Sequence, residues 1–152
     1  MNNESAQKMW AAFVAEHPEI TATYDVWSFG STAESADQLA RLVIAHQKTA
    51  TTSNYALYQL TNEPVPTVGR YSVILNGHQQ AVAIIRTTAV QVLPFGDVGV
   101  DQAYAEGEGD QTIAYWRNIH RKVFTDELAA VQKTFTDQSL VLLEQFALLF
   151  HD

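Results

Sequence analysis

The chain has 152 residues, of which 47% are hydrophobic and 17% charged, a balance that excludes disorder and predicts one domain spanning residues 1–152 with a core of its own. Nine Lys and Arg against seventeen Asp and Glu leave a net charge of −8, which excludes a sequence-blind grip on duplex DNA; the absence of cysteine excludes disulfides, zinc ribbons and thiol nucleophiles. Apolar runs reach only about ten residues, and no basic stretch precedes an apolar one after Met1, so no membrane partner and a cytoplasmic location are expected.

In chain order, Met9, Trp10, Phe13, Val14 and His17 recur at helical spacing over residues 5–17, and Pro18 marks the stop. Residues 1–20 are read as an N-terminal helical addition. Tyr24, Val26, Trp27 and Phe29 predict a loop or short extended piece held to the core by large rings. A capping box, Ser31 with Glu34 or Ser35 with Gln38, opens a second helix whose stripe of Leu39, Leu42, Val43 and His46 ends near residue 46. The hydroxyl-rich run 48–53 predicts a loop, because such side chains compete for backbone hydrogen bonds. Asn76-Gly77 between Tyr71–Leu75 and residues 81–87 predicts a hairpin, since both turn residues tolerate positive φ. Residues 88–93 then read as a separate strand, 98–105 as a short helix, and 111–123 as a helix capped by Asp110. A further short helix starts at Thr125-Asp126, and residues 139–150 form a buried strand.

Three constellations carry chemistry. Lys48 and Thr51 stand at a spacing that lets an amine and a hydroxyl point the same way, the pairing of Lys-activated nucleophiles; an unperturbed Lys is protonated, at about 10.4, so a role as base needs burial or a nearby cation. The alternative is that Lys48 complements a helix C-terminus and Thr51 satisfies loop backbone. Glu106, Glu108 and Asp110 alternate between glycines and suit either a metal, a general acid or base, or a helix cap. Trp116, Arg117, His120, Arg121 and Lys122 form an aromatic and basic run that either stacks a base and holds phosphate or divides into core stripe and dipole-matched surface. Tyr55 and Tyr58 either stack on a base or anchor onto the core. The other histidines show no metal-ligand spacing.

Trp27-x-Phe29-Gly30, Lys48-Thr49-Ala50-Thr51, the segment 66–75, and Ala105-Glu106-Gly107-Glu108-Gly109-Asp110 followed by Tyr115-Trp116-Arg117 and His120 resemble an ASCH domain of the longer bacterial branch, over about residues 24–150. The resemblance implies an α+β, PUA-like fold: a small β-barrel with surrounding helices. Two positions depart from it. His46-Gln47 stands where a Gly usually precedes the Lys, and Arg70 replaces an Asp after the hairpin's glycine.

The family's N4-acetylcytidine amidohydrolases imply catalytic roles for Lys48, Thr51 and Glu108, with Thr51 Oγ attacking an acyl carbonyl. Ligand contacts are expected from Trp27, Phe29, Tyr55, Glu106, Arg117 and His120. The expected ligand is a nucleoside or single-stranded RNA, which the protein binds, cleaves as a metal-dependent ribonuclease, or deacylates as an amidohydrolase. No cofactor or resident metal is expected, Mg²⁺ or Mn²⁺ being needed only for the ribonuclease reading. The sequence leaves the oligomeric state and the question of catalysis open.

Overall fold

A computed structural model describes residues 3–152; Met1 and Asn2 of the expected N-terminal addition lie outside the described residues. Helix α1 (Glu4–Glu16) is capped by Asn3, whose side chain accepts from the Ala6 amide, and it buries Ala6, Met9 and Phe13 at helical spacing. Strand β1 (Tyr24–Trp27) follows as a four-residue extended piece. Helix α2 (Ala33–Ile44) starts from neither expected cap: Thr32 accepts from the Ser35 amide and Ser35 accepts from the Thr32 amide, a reciprocal box with a hydroxyl at both ends. The chain leaves α2 through His46 at φ 63, the left-handed conformation a glycine commonly supplies at a helix end.

The predicted loop 48–53 is instead mostly strand. β2 (Ala50–Asn54) pairs antiparallel with β5 (Leu140–His151), and ladder bonds outweigh the local preference of its hydroxyl side chains. Helix α3 (Tyr55–Leu60) was not foreseen; it begins directly at Asn54. The hairpin is found: β3 (Tyr71–Leu75) pairs with β4 (Ala81–Pro94) across Asn76-Gly77. The separate strand expected at 88–93 is the second half of β4. A bulge between Thr87 and Ala89 re-aims that strand without ending it. After a 3-10 turn at Phe95–Asp97 come α4 (Val100–Glu106) and α5 (Ile113–Ala129). Helix α5 runs unbroken through Thr125-Asp126, and its N-cap is Thr112; Asp110, two residues earlier, accepts from the Thr112 amide and hydroxyl.

The strands form one sheet in the order β1-β3-β4-β5-β2, with β1 parallel to β3 and the other pairs antiparallel. No ladder joins β1 to β2 among the described residues, so the α+β fold has an open sheet where a closed barrel was expected. Both faces are covered. Val73, Leu75 and Ile84 pack on α1, while Ile74, Ala83 and Ile85 pack on α2 and Phe29, which explains why β3 is apolar on both faces from Val73 to Leu75. A third cluster joins Phe95, Trp116, Phe124 and Leu128 to Val141 and Leu143, and it holds α5 against the open end of the sheet beside β2. No helix of the described residues is long and apolar enough to cross a membrane.

Candidate functional site

Two backbone joints bring the sequence-distant residues together. The Thr49 amide donates to the Ala105 carbonyl, and the Gln47 side chain donates to the Gly107 carbonyl at 2.7 Å, so the turn after α2 is fastened to the C-terminus of α4. Gly107 ends that helix at φ 73, where a Cβ would collide with the Gln47 carbonyl; only glycine allows this approach. The joint sets the Lys48 ammonium between two carboxylates, 3.4 Å from Glu106 Oε1 and 3.1 Å from Glu108 Oε2, with the Glu106 carbonyl at 3.5 Å. Its three hydrogens thus have three acceptors. The Lys48 side chain is 1% exposed, as is Glu106, whereas Glu108 keeps 21%.

Glu106 is the hub. Oε2 accepts from Trp116 Nε1 at 2.7 Å, from Gln102 Nε2 at 3.2 Å and from the Thr52 hydroxyl, while Oε1 faces Lys48 Nζ and His120 Nε2, both at 3.4 Å. Burial alone would raise the Glu106 carboxyl, but Lys48, His120 and Thr52 outweigh it and hold the group well below the usual carboxylate range. His120 stacks on Trp116 at 4.4 Å and directs Nδ1 to the Trp116 carbonyl at 2.8 Å. Burial opposes its charging, yet Glu106 and that carbonyl raise its pKa. Trp116 is therefore core, as one of its two readings had it, and its indole N–H also serves the site.

Lys48, Thr52, Glu106, Glu108 and His120 of this network line a cleft of about 320 Å³ between β2 and α5, with Trp116 and Gln102 behind them. Of the sequence-predicted residues, Lys48, Thr51, Glu106, Glu108, His120 and Phe29 lie on its wall. Thr51 has no side-chain hydrogen bond among the described residues. It stands at the boundary with a second hollow, of about 480 Å³, that shares Thr51, Ser53, Tyr58 and Glu63. Three expected ligand contacts are not on the wall of the first cleft. Trp27 lines only the second hollow, beside Arg70, which bridges Asp25 and Glu144. Tyr55 lines a separate hollow beside Leu128 and Leu140, with its ring 6.4 Å from that of Tyr58. Arg117 donates to the Val98 carbonyl at 3.2 Å and ties α5 to the segment before α4.

Sequence reasoning missed Thr52, Gln102, Asn54 and Glu127, whereas Tyr58, one of the two tyrosines it named, does line the cleft. Gln102 is one helical turn from Glu106, and Glu127 continues the His120 and Phe124 stripe, so both were signalled once α4 and α5 had their full lengths. Glu106, Glu108 and His120 offer ligand atoms within 4.8 Å of one another. Lys48 occupies the same carboxylate oxygens, however, and a divalent ion there would face a fixed ammonium, so this donor set does not fit a resident metal.

The family model described as the ASCH domain matches residues 25–149. A crystal structure of a protein from Enterococcus faecalis V583 is 35% identical, with a TM-score of 0.89 over 96% of this chain and 88% of that one. The ASCH domain from Lactobacillus crispatus JV V101 is 27% identical, with a TM-score of 0.92 over 98% and 96%. No curated protein matches the sequence.

Proposed function

The chain belongs to the ASCH domain family, and from that premise we propose that its cleft binds a nucleoside and hydrolyses an acyl amide on the base without a metal. One observation carries this reading: the Lys48 ammonium is held between Glu106 and Glu108 in a cleft that is also lined by Thr51, whose hydroxyl has no hydrogen bond among the described residues.

Lys48 has its hydrogens directed at acceptors, so it is read as the group that holds Glu108, and Glu108 as the base. Glu108 Oε2 receives Lys48, leaving Oε1 with no hydrogen-bond partner among the described residues. Thr51 Oγ attacks the acyl carbon and its proton passes to Glu108. Collapse of the tetrahedral intermediate breaks the carbon–nitrogen bond, and the departing amine takes that proton. Water then gives a proton to Glu108 and attacks the Thr51 ester. The ester oxygen leaves with that proton, which restores Thr51 and releases the carboxylic acid.

The RNA readings have less support. Of the basic residues expected to meet phosphate, Arg117 is tied to the Val98 carbonyl, and Arg121 and Lys122 are paired with Asp137 and Asp126. The test is a purified-protein assay of N4-acetylcytidine and a short labelled RNA, each with and without chelator. Acetate release that survives chelation, and falls at least about a hundredfold in Thr51→Ala and Glu108→Gln, supports the reading. No release, or RNA cleavage that requires Mg²⁺ or Mn²⁺, overturns it.

A further inference from the structure

At the end of the cleft away from Lys48 lie Asn54, from the last position of β2, and Glu127, from the last turns of α5. Asn54 is 3% exposed; its Nδ2 donates to the Phe124 carbonyl at 3.5 Å, and its Oδ1 is buried with no partner among the described residues. Glu127 Oε1 is likewise buried and unpaired among the described residues. Burial raises the Glu127 carboxyl, against the Asn54 amide and His120, which pull it down. Unpaired buried acceptors are rare in folded proteins because each forfeits its hydration without replacement. Two of them lining one cleft are satisfied most simply by what the cleft receives.

The spacing indicates which part of a ligand that is. Asn54 follows Thr52, the Glu106 ligand, by two strand residues, about 6.6 Å along β2. Glu127 follows His120 by seven helical residues, about 10.5 Å along α5. The walls between the two ends include Phe29, Leu57, Ile119 and Phe124, which suit the faces of one heterocycle. A pyrimidine riboside with its acylated amine at Glu108 and Thr51 presents its sugar at the other end. There the vicinal hydroxyls are two donors for two acceptors, and a carboxylate is a recurrent partner of a ribose 2′-hydroxyl.

We infer that Asn54 Oδ1 and Glu127 Oε1 form a sugar subsite that accepts from the ribose 2′ and 3′ hydroxyls and selects ribosides over 2′-deoxyribosides. This subsite rests on the nucleoside reading proposed above and extends it to the sugar. Both oxygens are buried, so a hydroxyl reaches them only when the two side chains turn toward the cleft.

The experiment compares N4-acetylcytidine, N4-acetyl-2′-deoxycytidine and N4-acetylcytosine by kcat/KM, and cytidine with 2′-deoxycytidine by calorimetric titration. The wild-type protein should prefer the riboside by at least about tenfold, the loss expected for one hydrogen bond to a charged acceptor. Glu127→Leu should bring the riboside to 2′-deoxyriboside ratio near one while thermal unfolding shows a folded protein, an effect on a ratio that a merely structural role would not produce. Hydrolysis of all three substrates with no riboside preference overturns the subsite and leaves the amidohydrolase reading standing. Riboside-selective binding without hydrolysis supports the subsite and overturns the reaction. No binding of either nucleoside and no hydrolysis overturns both. If Glu127→Leu does not fold, Glu127→Gln, which exchanges a charged oxygen for a neutral one, should still reduce the ratio; an unchanged ratio there overturns the subsite.

Discussion

Replacing Lys48 by Met keeps the aliphatic stem and removes the ammonium from between two carboxylates. With an effective dielectric of about 20, contacts of 3.4 Å to Glu106 and 3.1 Å to Glu108 each represent about 5 kcal/mol of attraction. Solvent screens the part-exposed Glu108, and neither charge's desolvation is recovered, so the measured loss is smaller. Breaking a buried pair by removing one partner costs about 3–5 kcal/mol, most of it the penalty of leaving Glu106 charged and enclosed. For a chain of this size that corresponds to a fall in Tm of roughly 6 to 20 °C. Adding Glu106→Gln to Lys48→Met should restore about 2 kcal/mol or more, because the stranded charge is gone, while Glu106→Gln alone destabilises. Urea unfolding of the wild type, both single variants and the double variant closes the cycle. A loss below about 1 kcal/mol for Lys48→Met, or a double variant no more stable than Lys48→Met, would refute the electrostatic account of the hub.

Three further outcomes are expected. Trp116→Phe removes the 2.7 Å indole hydrogen bond to Glu106 while keeping most of the ring packing, and should cost about 1.5–3 kcal/mol by denaturant titration; a neutral result would mean the bond contributes nothing. Stability should be greatest at mildly acid pH. His120, raised from its ordinary 6.5, contributes stability that is complete below that value and lost as pH rises through its folded-state pKa; Glu106, lowered from 4.5, contributes stability present above that value and lost as pH falls toward its folded-state pKa. Melting temperatures across the pH range should show both limbs, and His120→Gln should flatten the alkaline one. Gly107→Ala forces a Cβ onto the Gln47 carbonyl in a left-handed residue; it should cost more than about 1 kcal/mol and lower hydrolysis through a displaced Glu108, whereas an unchanged melt and rate would show that the joint tolerates a shift.

Local chemistry alone made much of the fold legible. The hairpin at Asn76-Gly77 was readable because its turn residues permit positive φ, and α1 and α2 because their apolar stripes repeat at helical spacing. The resemblance to ASCH domains, and not spacing alone, singled out Lys48, Thr51 and Glu108, all three of which line one cleft. What the sequence could not determine depends on partners distant in the chain. Residues 48–53 read as loop because the β5 strand that completes β2 is about ninety residues away and leaves no trace in local propensity. The open sheet follows from which strands pair: β1 and β2 end up at its two edges, an arrangement set by long-range pairing and not by local pattern. Arg117 looked like a ligand contact by charge and neighbourhood, and only the packing of α5 shows it turned to the Val98 carbonyl. The roles of Glu106 and Lys48 belong to the tertiary structure for the same reason. A carboxylate on a glycine-rich stretch reads as solvated acid until folding removes its water and replaces it with five donors from α4, α5, β2 and the turn after α2.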